Sequence, residues 1–243
     1  MRFINTVYER LRKSPKRVVF PEGTEPRILR AAARFVKMGL GTPVLLGNAD
    51  AIHRVAKQES VDLEFIGMID PLRAEDMPLF CERLEKLKRY RDLGPAMASA
   101  ILAKPNYFAS MMVQYGHADA IVTGADEEAS STLRPMLQLI SPLPHLKSVS
   151  SCMALDLSNK RYGERGVMFF ADCAVIPEPT VDQLADIAVE TGITCRNLTG
   201  MKPRIAMLSF TTHSNAPAWS REGSGGNGTG KTARGAAWHR NGD

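Results

Sequence analysis

No two of the four cysteines (Cys81, Cys152, Cys173 and Cys195) form a C-x-x-C pair. That argues against a structural zinc site or a thiol redox motif, and four thiols in 243 residues are too few for a disulfide scaffold. The five histidines show no metal-ligand spacing, so no metal is expected. No run of about 20 apolar residues is present, which excludes a spanning helix. The first fifteen residues carry Arg2, Glu9, Arg10, Arg12 and Lys13 and lack the apolar stretch of a signal peptide. The expectation is a cytoplasmic protein with no membrane partner. Lys plus Arg exceed Asp plus Glu by 31 to 26, a net +5 without any dense basic block. Nucleic acid is therefore not expected, whereas a small anion is permitted. What remains is ordinary for a globular chain, 44% hydrophobic and 23% charged, and long enough for one large domain or two medium ones.

Short apolar runs alternate with helical spacing, the pattern of an α/β protein. Arg17–Phe20 predicts a first strand, and Pro26 then opens a helix that Gly39 closes. Pro43–Leu46 predicts a second strand, Asn48 caps a helix to about Lys57, and Leu63–Ile66 predicts a third strand. From Ala74 to Tyr115 the spacing is helical, broken at Gly94-Pro95 and Lys104-Pro105. Ala118–Val122 predicts a buried strand and Thr132–Ile140 a short helix. Ser148–Leu155 and Gly166–Phe170 predict strands, and Thr180 with Gln183 forms a capping box for a helix to about Glu190. Arg204–Phe210 predicts a last strand. Domains are expected over 1–145 and 146–215.

After Asn215 the chain contains no Leu, Ile, Val, Phe or Met, but seven glycines and both tryptophans. Residues 216–243 are expected to be disordered, since they cannot bury enough apolar area to offset ordering. This tail holds Gly225-Gly-Asn-Gly-Thr-Gly230-Lys231-Thr232, a match to the phosphate-cradling G-x-x-x-x-G-K-[ST]. No strand precedes it and no helical pattern follows, so it is read as a chance match.

Four segments offer chemistry. In Gly124–Pro135 (GADEEASSTLRP) a buried strand leads to Gly124, Ser130, Ser131 and Thr132 offer hydroxyls, and Arg134 offers a planar fork suited to phosphate. Asp126, Glu127 and Glu128 repel an anion unless they point away. Lys86, Lys88, Arg89 and Arg91 read as a solvated basic helix face. Asp172 follows an apolar strand and either lines a cleft or caps a turn. Pro21–Arg27 (PEGTEPR) either meets a ligand or simply turns. His117 and His213 have no partner pattern and read as structural or exposed.

Together these segments resemble the phosphate acetyltransferase and butyryltransferase family. The resemblance is carried by VVFPEGTEPRILRAA at 18–32, PVLLGN at 43–48, KPNYFASMMVQYGHADAIVTGA at 104–125 and TLRPMLQLI at 132–140. FFADCAVIPEPTVDQLADIA at 169–188 and PRIAMLSFTTHSN at 203–215 complete it. The resemblance implies a three-layer α/β/α, two-domain fold like isocitrate and isopropylmalate dehydrogenases, here with the second domain incomplete, and a homodimer. It implies acetyl transfer between coenzyme A and phosphate, with CoA as substrate and no cofactor. A base takes the thiol proton, the thiolate attacks the acyl phosphate carbonyl, and phosphate leaves. Arg134 matches the family's phosphate-binding arginine. Arg89 is the nearest counterpart of a second arginine, with Arg91 equally allowed by the spacing. Gly124, Ser130, Ser131, Thr132 and Asp172 are carried as substrate-binding candidates.

Two departures qualify the implied activity. Glu128 and Ala129 stand where the family places small hydroxyl residues. Family members also continue with an Asp-Leu-Ser-Arg-Gly-like segment that this sequence lacks. The expectation is therefore a truncated or frameshifted and inactive acyltransferase. The alternatives are a butyryltransferase-like enzyme and a non-catalytic remnant that binds CoA or phosphate.

Overall fold

The computed structural model describes residues 3–146 and 148–208. They divide into two compact units between His145 and Leu146.

The first unit begins with helix α1 (Phe3–Lys13), an element not assigned from the sequence. Phe3, Val7 and Leu11 repeat at one-turn spacing, and Arg12 Nε donates to the Met38 carbonyl at 3.0 Å. Strands β1 (Lys16–Phe20), β2 (Gly41–Leu46), β3 (Gly67–Ile69) and β4 (Ala120–Ile121) form a parallel sheet in the order β3-β2-β1-β4. Helix α2 (Pro26–Lys37) carries the chain from β1 to β2, and α3 (Ala49–Gln58) from β2 to β3. Asn48 caps α3 by accepting the Ala51 N–H at 3.1 Å. Four helices follow: α4 (Met77–Glu85), α5 (Pro95–Leu102), α6 (Pro105–Gln114) and α7 (Ala129–Leu139). Pro95 and Pro105 stand at the first helical positions, where a missing N–H costs nothing.

Both faces of this sheet are covered, which is why its strands read as continuous apolar runs. Val18, Phe20 and Leu45 pack with Ile28 and Leu29 of α2 and Ile52 of α3. Val19, Val44 and Leu46 point the other way, into a core of Phe80, Leu84, Leu102, Phe108 and Met111. The chain runs outward from β1 through β2 to β3, then returns to pair on β1's free side as β4. The strand order therefore reverses between β1 and β4, and parallel α/β sheets gather ligands at the C-terminal ends of strands flanking such a reversal.

Several boundaries differ from expectation. Leu63–Ile66 is a turn, not a strand: Ile66 N–H bonds the Leu63 carbonyl, and Phe65 takes a left-handed φ of 62°. Leu63 and Ile66 still pack into the α2–α3 core, but the ladder starts at Gly67, opposite Val44. Of Ala118–Val122, only Ala120 and Ile121 form the strand, and as an edge strand it is not buried as expected: Ala120 and Val122 are exposed. Helix α7 starts three residues before Thr132.

In the second unit, β5 (Met153–Asp156) and β6 (Val167–Phe170) pair antiparallel, Met153 opposite Phe170. Helix α8 (Val181–Thr199) has the reciprocal Thr180–Gln183 capping box and ends at Gly200 in the left-handed conformation. It runs nine residues past the expected end because Gly192 is accommodated within it. A Cβ there would stand 3.3 Å from Ile205 Cδ1, so the glycine lets the chain beyond the helix pack against it. Pro203 and Ile205 make this approach, while residues 204–208 are exposed and do not form the expected strand. The remainder of that strand, His213, the 216–243 tail and its glycine motif lie outside the described residues.

Candidate active site

The turn after β1 and the loop after β4 are joined by one carboxylate. Glu22 Oε2 accepts the N–H groups of Gly124 at 2.8 Å and Ala125 at 3.0 Å. Its Oε1 accepts those of Asp126 at 2.7 Å and Glu127 at 3.1 Å. Burial works against ionisation, but the four backbone donors outweigh it and hold Glu22 below the usual carboxylate range. Arg27 strengthens the joint, pairing with Glu25 and donating from Nη2 to the Ala125 carbonyl at 2.5 Å. The turn itself requires Gly23, where a Cβ would fall 2.3 Å from the Leu46 carbonyl oxygen. Consecutive N–H groups of this kind make an anion nest, and here the protein's own carboxylate fills it. The N–H of Gly124 is thus already engaged, although the sequence suggested it as a point of ligand approach.

From this joint the chain enters α7, whose first turn forms one wall of a cavity of about 350 Å³. Ser130, Ser131 and Arg134 line it from α7, and Lys104, Asn106 and Tyr107 from the start of α6. The positive ends of two helices therefore abut the same space as a lysine and an arginine, a combination suited to an anion. Asn106 is 4% exposed and bridges the wall: its Nδ2 donates to Glu127 Oε2 at 2.6 Å and its Oδ1 accepts from Thr123 Oγ1 at 3.0 Å. Thr132 is buried, with its hydroxyl donating to the Ala129 carbonyl at 3.0 Å, so it secures the helix start.

Arg134 and Ser130 also border an adjoining depression of about 410 Å³ that includes Arg89 and Gln138. Arg89 lies in a single 3-10 turn, Lys88–Tyr90, rather than on a longer basic helix. Tyr90 anchors that turn. It is buried, and its hydroxyl bonds Gln138 Oε1, which also accepts from Tyr107 at 3.2 Å. Gln138 lies one helical turn beyond Arg134, so the two guanidinium-bearing segments are tied to one amide. Burial raises the Tyr90 phenol pKa, keeping it protonated as a donor. Arg91 is exposed and does not line either cavity.

Asp172 is in the second unit and organises its own loop. Its Oδ1 accepts N–H groups from Ser151, Ala174 and Val175, and Oδ2 accepts that of Ile176 at 2.8 Å. The Ser151 hydroxyl also donates to Oδ1, while accepting from Cys173 N–H at 2.8 Å. Burial opposes the charge, yet these donors lower the Asp172 pKa to about 2. Such a carboxylate caps a turn and is a poor proton acceptor. Of the other histidine read as structural, His117 Nδ1 lies 3.0 Å from Asp76 Oδ2 and its ring sits edge-on to Phe80.

Sequence reasoning missed Glu22, Lys104 and Asn106 as site-forming residues. For Lys104 and Asn106 the signal was the Lys-Pro-Asn start of α6, read as a helix break and as part of the family resemblance but not as part of a site. Among the described residues, no group of three or more His, Cys, Asp or Glu side chains is placed to hold a metal. Nor, among them, is any helix long and apolar enough to cross a membrane.

Residues 2–222 match the family model described as phosphate acetyl/butaryl transferase. The chain is 39% identical over 216 residues to a phosphate acetyltransferase of Thermoanaerobacterium thermosaccharolyticum, covering 89% of this chain and 65% of that protein. It is 38% identical over 214 residues to a phosphate acetyltransferase of Treponema pallidum, covering 87% and 64%. Among solved structures, a phosphotransacetylase from Streptococcus pyogenes superposes with a TM-score of 0.78 at 31% identity, over 90% of this chain and 66% of that one. The EutD phosphotransacetylase from Staphylococcus aureus gives 0.76 at 28% identity, over 91% and 66%. The chain spans just under two thirds of the length of these curated relatives.

Proposed function

The chain belongs to the phosphate acetyl/butaryl transferase family, and from that premise we propose that it transfers an acetyl group between coenzyme A and inorganic phosphate. The observation that supports this reading is the convergence of Arg134, Ser130, Ser131 and Lys104 with two helix N-termini on one cavity beside the strand-order reversal. In the proposed reaction the CoA thiol loses its proton and the thiolate attacks the carbonyl carbon of acetyl phosphate. A C–S bond forms, the acyl C–O bond breaks, and phosphate departs with the electron pair. Arg134 and Arg89 take up the charge that grows on the departing oxygens, where fixed cations act most strongly on a transition state. The serine hydroxyls orient the phosphoryl oxygens. Asp172 serves by holding its loop, not as the base.

The wider setting proposed for this site is a two-domain fold of the isocitrate dehydrogenase type, a cytoplasmic homodimer, and no metal or redox cofactor; its support is family membership. The test is formation of acetyl-CoA from acetyl phosphate and CoA, a turnover that would overturn the inactivity expected from the missing segment, with phosphate-induced thermal stabilisation measured alongside. Arg134→Ala is expected to abolish the phosphate stabilisation and to lower kcat/KM by about 100-fold or more, the scale of losing one transition-state donor. Unchanged phosphate stabilisation in Arg134→Ala would overturn the assignment of this cavity.

A further inference from the structure

Three acids in a row, Asp126, Glu127 and Glu128, stand where an anion site calls for the opposite charge. They are not placed alike. Asp126 donates its backbone N–H to Glu22, and Glu128 is the N-cap residue of α7 without a side-chain capping bond. Glu127 lines the cavity with Arg134 and Lys104. It is also held at both ends: its N–H bonds Glu22 Oε1 at 3.1 Å, and its carboxylate accepts from the Asn106 amide at 2.6 Å. Asn106 is itself buried and fixed by Thr123. A free surface glutamate would swing away from an arriving anion. This one is kept in place while its neighbours bind.

We propose that Glu127 is the charge-selecting residue of this cavity, weakening the hold on doubly charged anions relative to singly charged ones. The proposal rests on the reading that the Arg134 cavity takes phosphate. Coulomb repulsion scales with the charge of the ligand, so a fixed carboxylate discriminates by charge among anions of one shape. Glu127 thereby limits how tightly a dianionic phosphate is retained, and it favours release of the leaving group.

The experiment is calorimetric titration of the full chain with three probes: inorganic phosphate, sulfate as a permanent dianion, and methanesulfonate as a monoanion of similar shape. Glu127→Gln keeps an oxygen for Asn106 and removes the charge, and Glu127→Ala removes the charge independently. The expected result is about tenfold tighter sulfate binding and about threefold tighter methanesulfonate binding in both variants, with both gains shrinking as salt rises. Equal gains for the two probes, or none, would overturn the role of Glu127. If phosphate binding is present and lost in Arg134→Ala while Glu127→Gln changes nothing, Glu127 alone is misassigned. If neither wild type nor Glu127→Gln binds phosphate, the cavity assignment falls and this inference falls with it.

Discussion

Glu22→Gln tests whether one carboxylate holds the candidate site together. In the native joint each Glu22 oxygen serves two backbone donors, Oε2 those of Gly124 and Ala125, Oε1 those of Asp126 and Glu127. A glutamine offers one oxygen and turns an NH₂ toward the other pair, so at least two of the four bonds are lost. A hydrogen bond to a charged group contributes about 1.5–3 kcal/mol net, and the loop is open enough for water to replace part of that. The expected destabilisation is about 2 kcal/mol. The sign with pH follows from the lowered folded-state pKa. The contribution is fully present above the ordinary value of 4.5 and is lost as pH falls through the folded value, so Glu22→Gln at neutral pH mimics acidified wild type. Urea unfolding reads the global change, and amide exchange at residues 124–127 reads the local one. Wild-type exchange rates at those four amides in Glu22→Gln, together with an unchanged unfolding midpoint, would refute the reasoning.

Asp172→Asn is expected to cost about 1–2 kcal/mol at neutral pH. The drop from 3.8 to about 2 converts to about 2.4 kcal/mol at 1.36 per pH unit, reduced here for partial solvent access. The difference between wild type and variant should stay constant from neutral pH to about 4 and vanish between about 4 and 2, followed by amide exchange at residues 174–176. Gly23→Ala places a methyl 2.3 Å from the Leu46 carbonyl oxygen, a backbone atom that cannot turn aside. A loss of about 2 kcal/mol or more is expected in thermal unfolding, and a melting temperature equal to wild type would show the turn to be softer than described.

What the sequence made legible is what is local. Pro26, Asn48 and the Thr180–Gln183 pair announce helix starts because a cap acts within one turn of itself. The buried stretches of β1 and β2, Val18–Phe20 and Pro43–Leu46, are apolar throughout because helices cover both sides of the sheet. Ser130, Ser131 and Arg134 stood out as hydroxyls and a guanidinium after an apolar strand-like run. Glu22 did not, because its four partners lie 102 to 105 residues away and nothing in PEGTEPR names them. Three adjacent acids gave no sign of which one would turn inward, since that depends on Asn106 of another helix. Leu63–Ile66 and 204–208 have strand-like composition, but strands require a partner edge, and a single sequence does not show where that edge ends.

Strand β1 sits between β2 and β4, and its pairing with β4 closes late along the chain. The Arg17 N–H reaches the Asp119 carboxylate across 102 residues. During synthesis β1 can zip to β2 as soon as residue 46 clears the ribosome, while its opposite edge stays open until β4 emerges. An unpaired edge carrying an apolar stretch such as Val18–Phe20 is a template for another nascent chain. The interval between the emergence of residue 46 and that of residue 121 is therefore the one in which this edge is open to pairing with another chain.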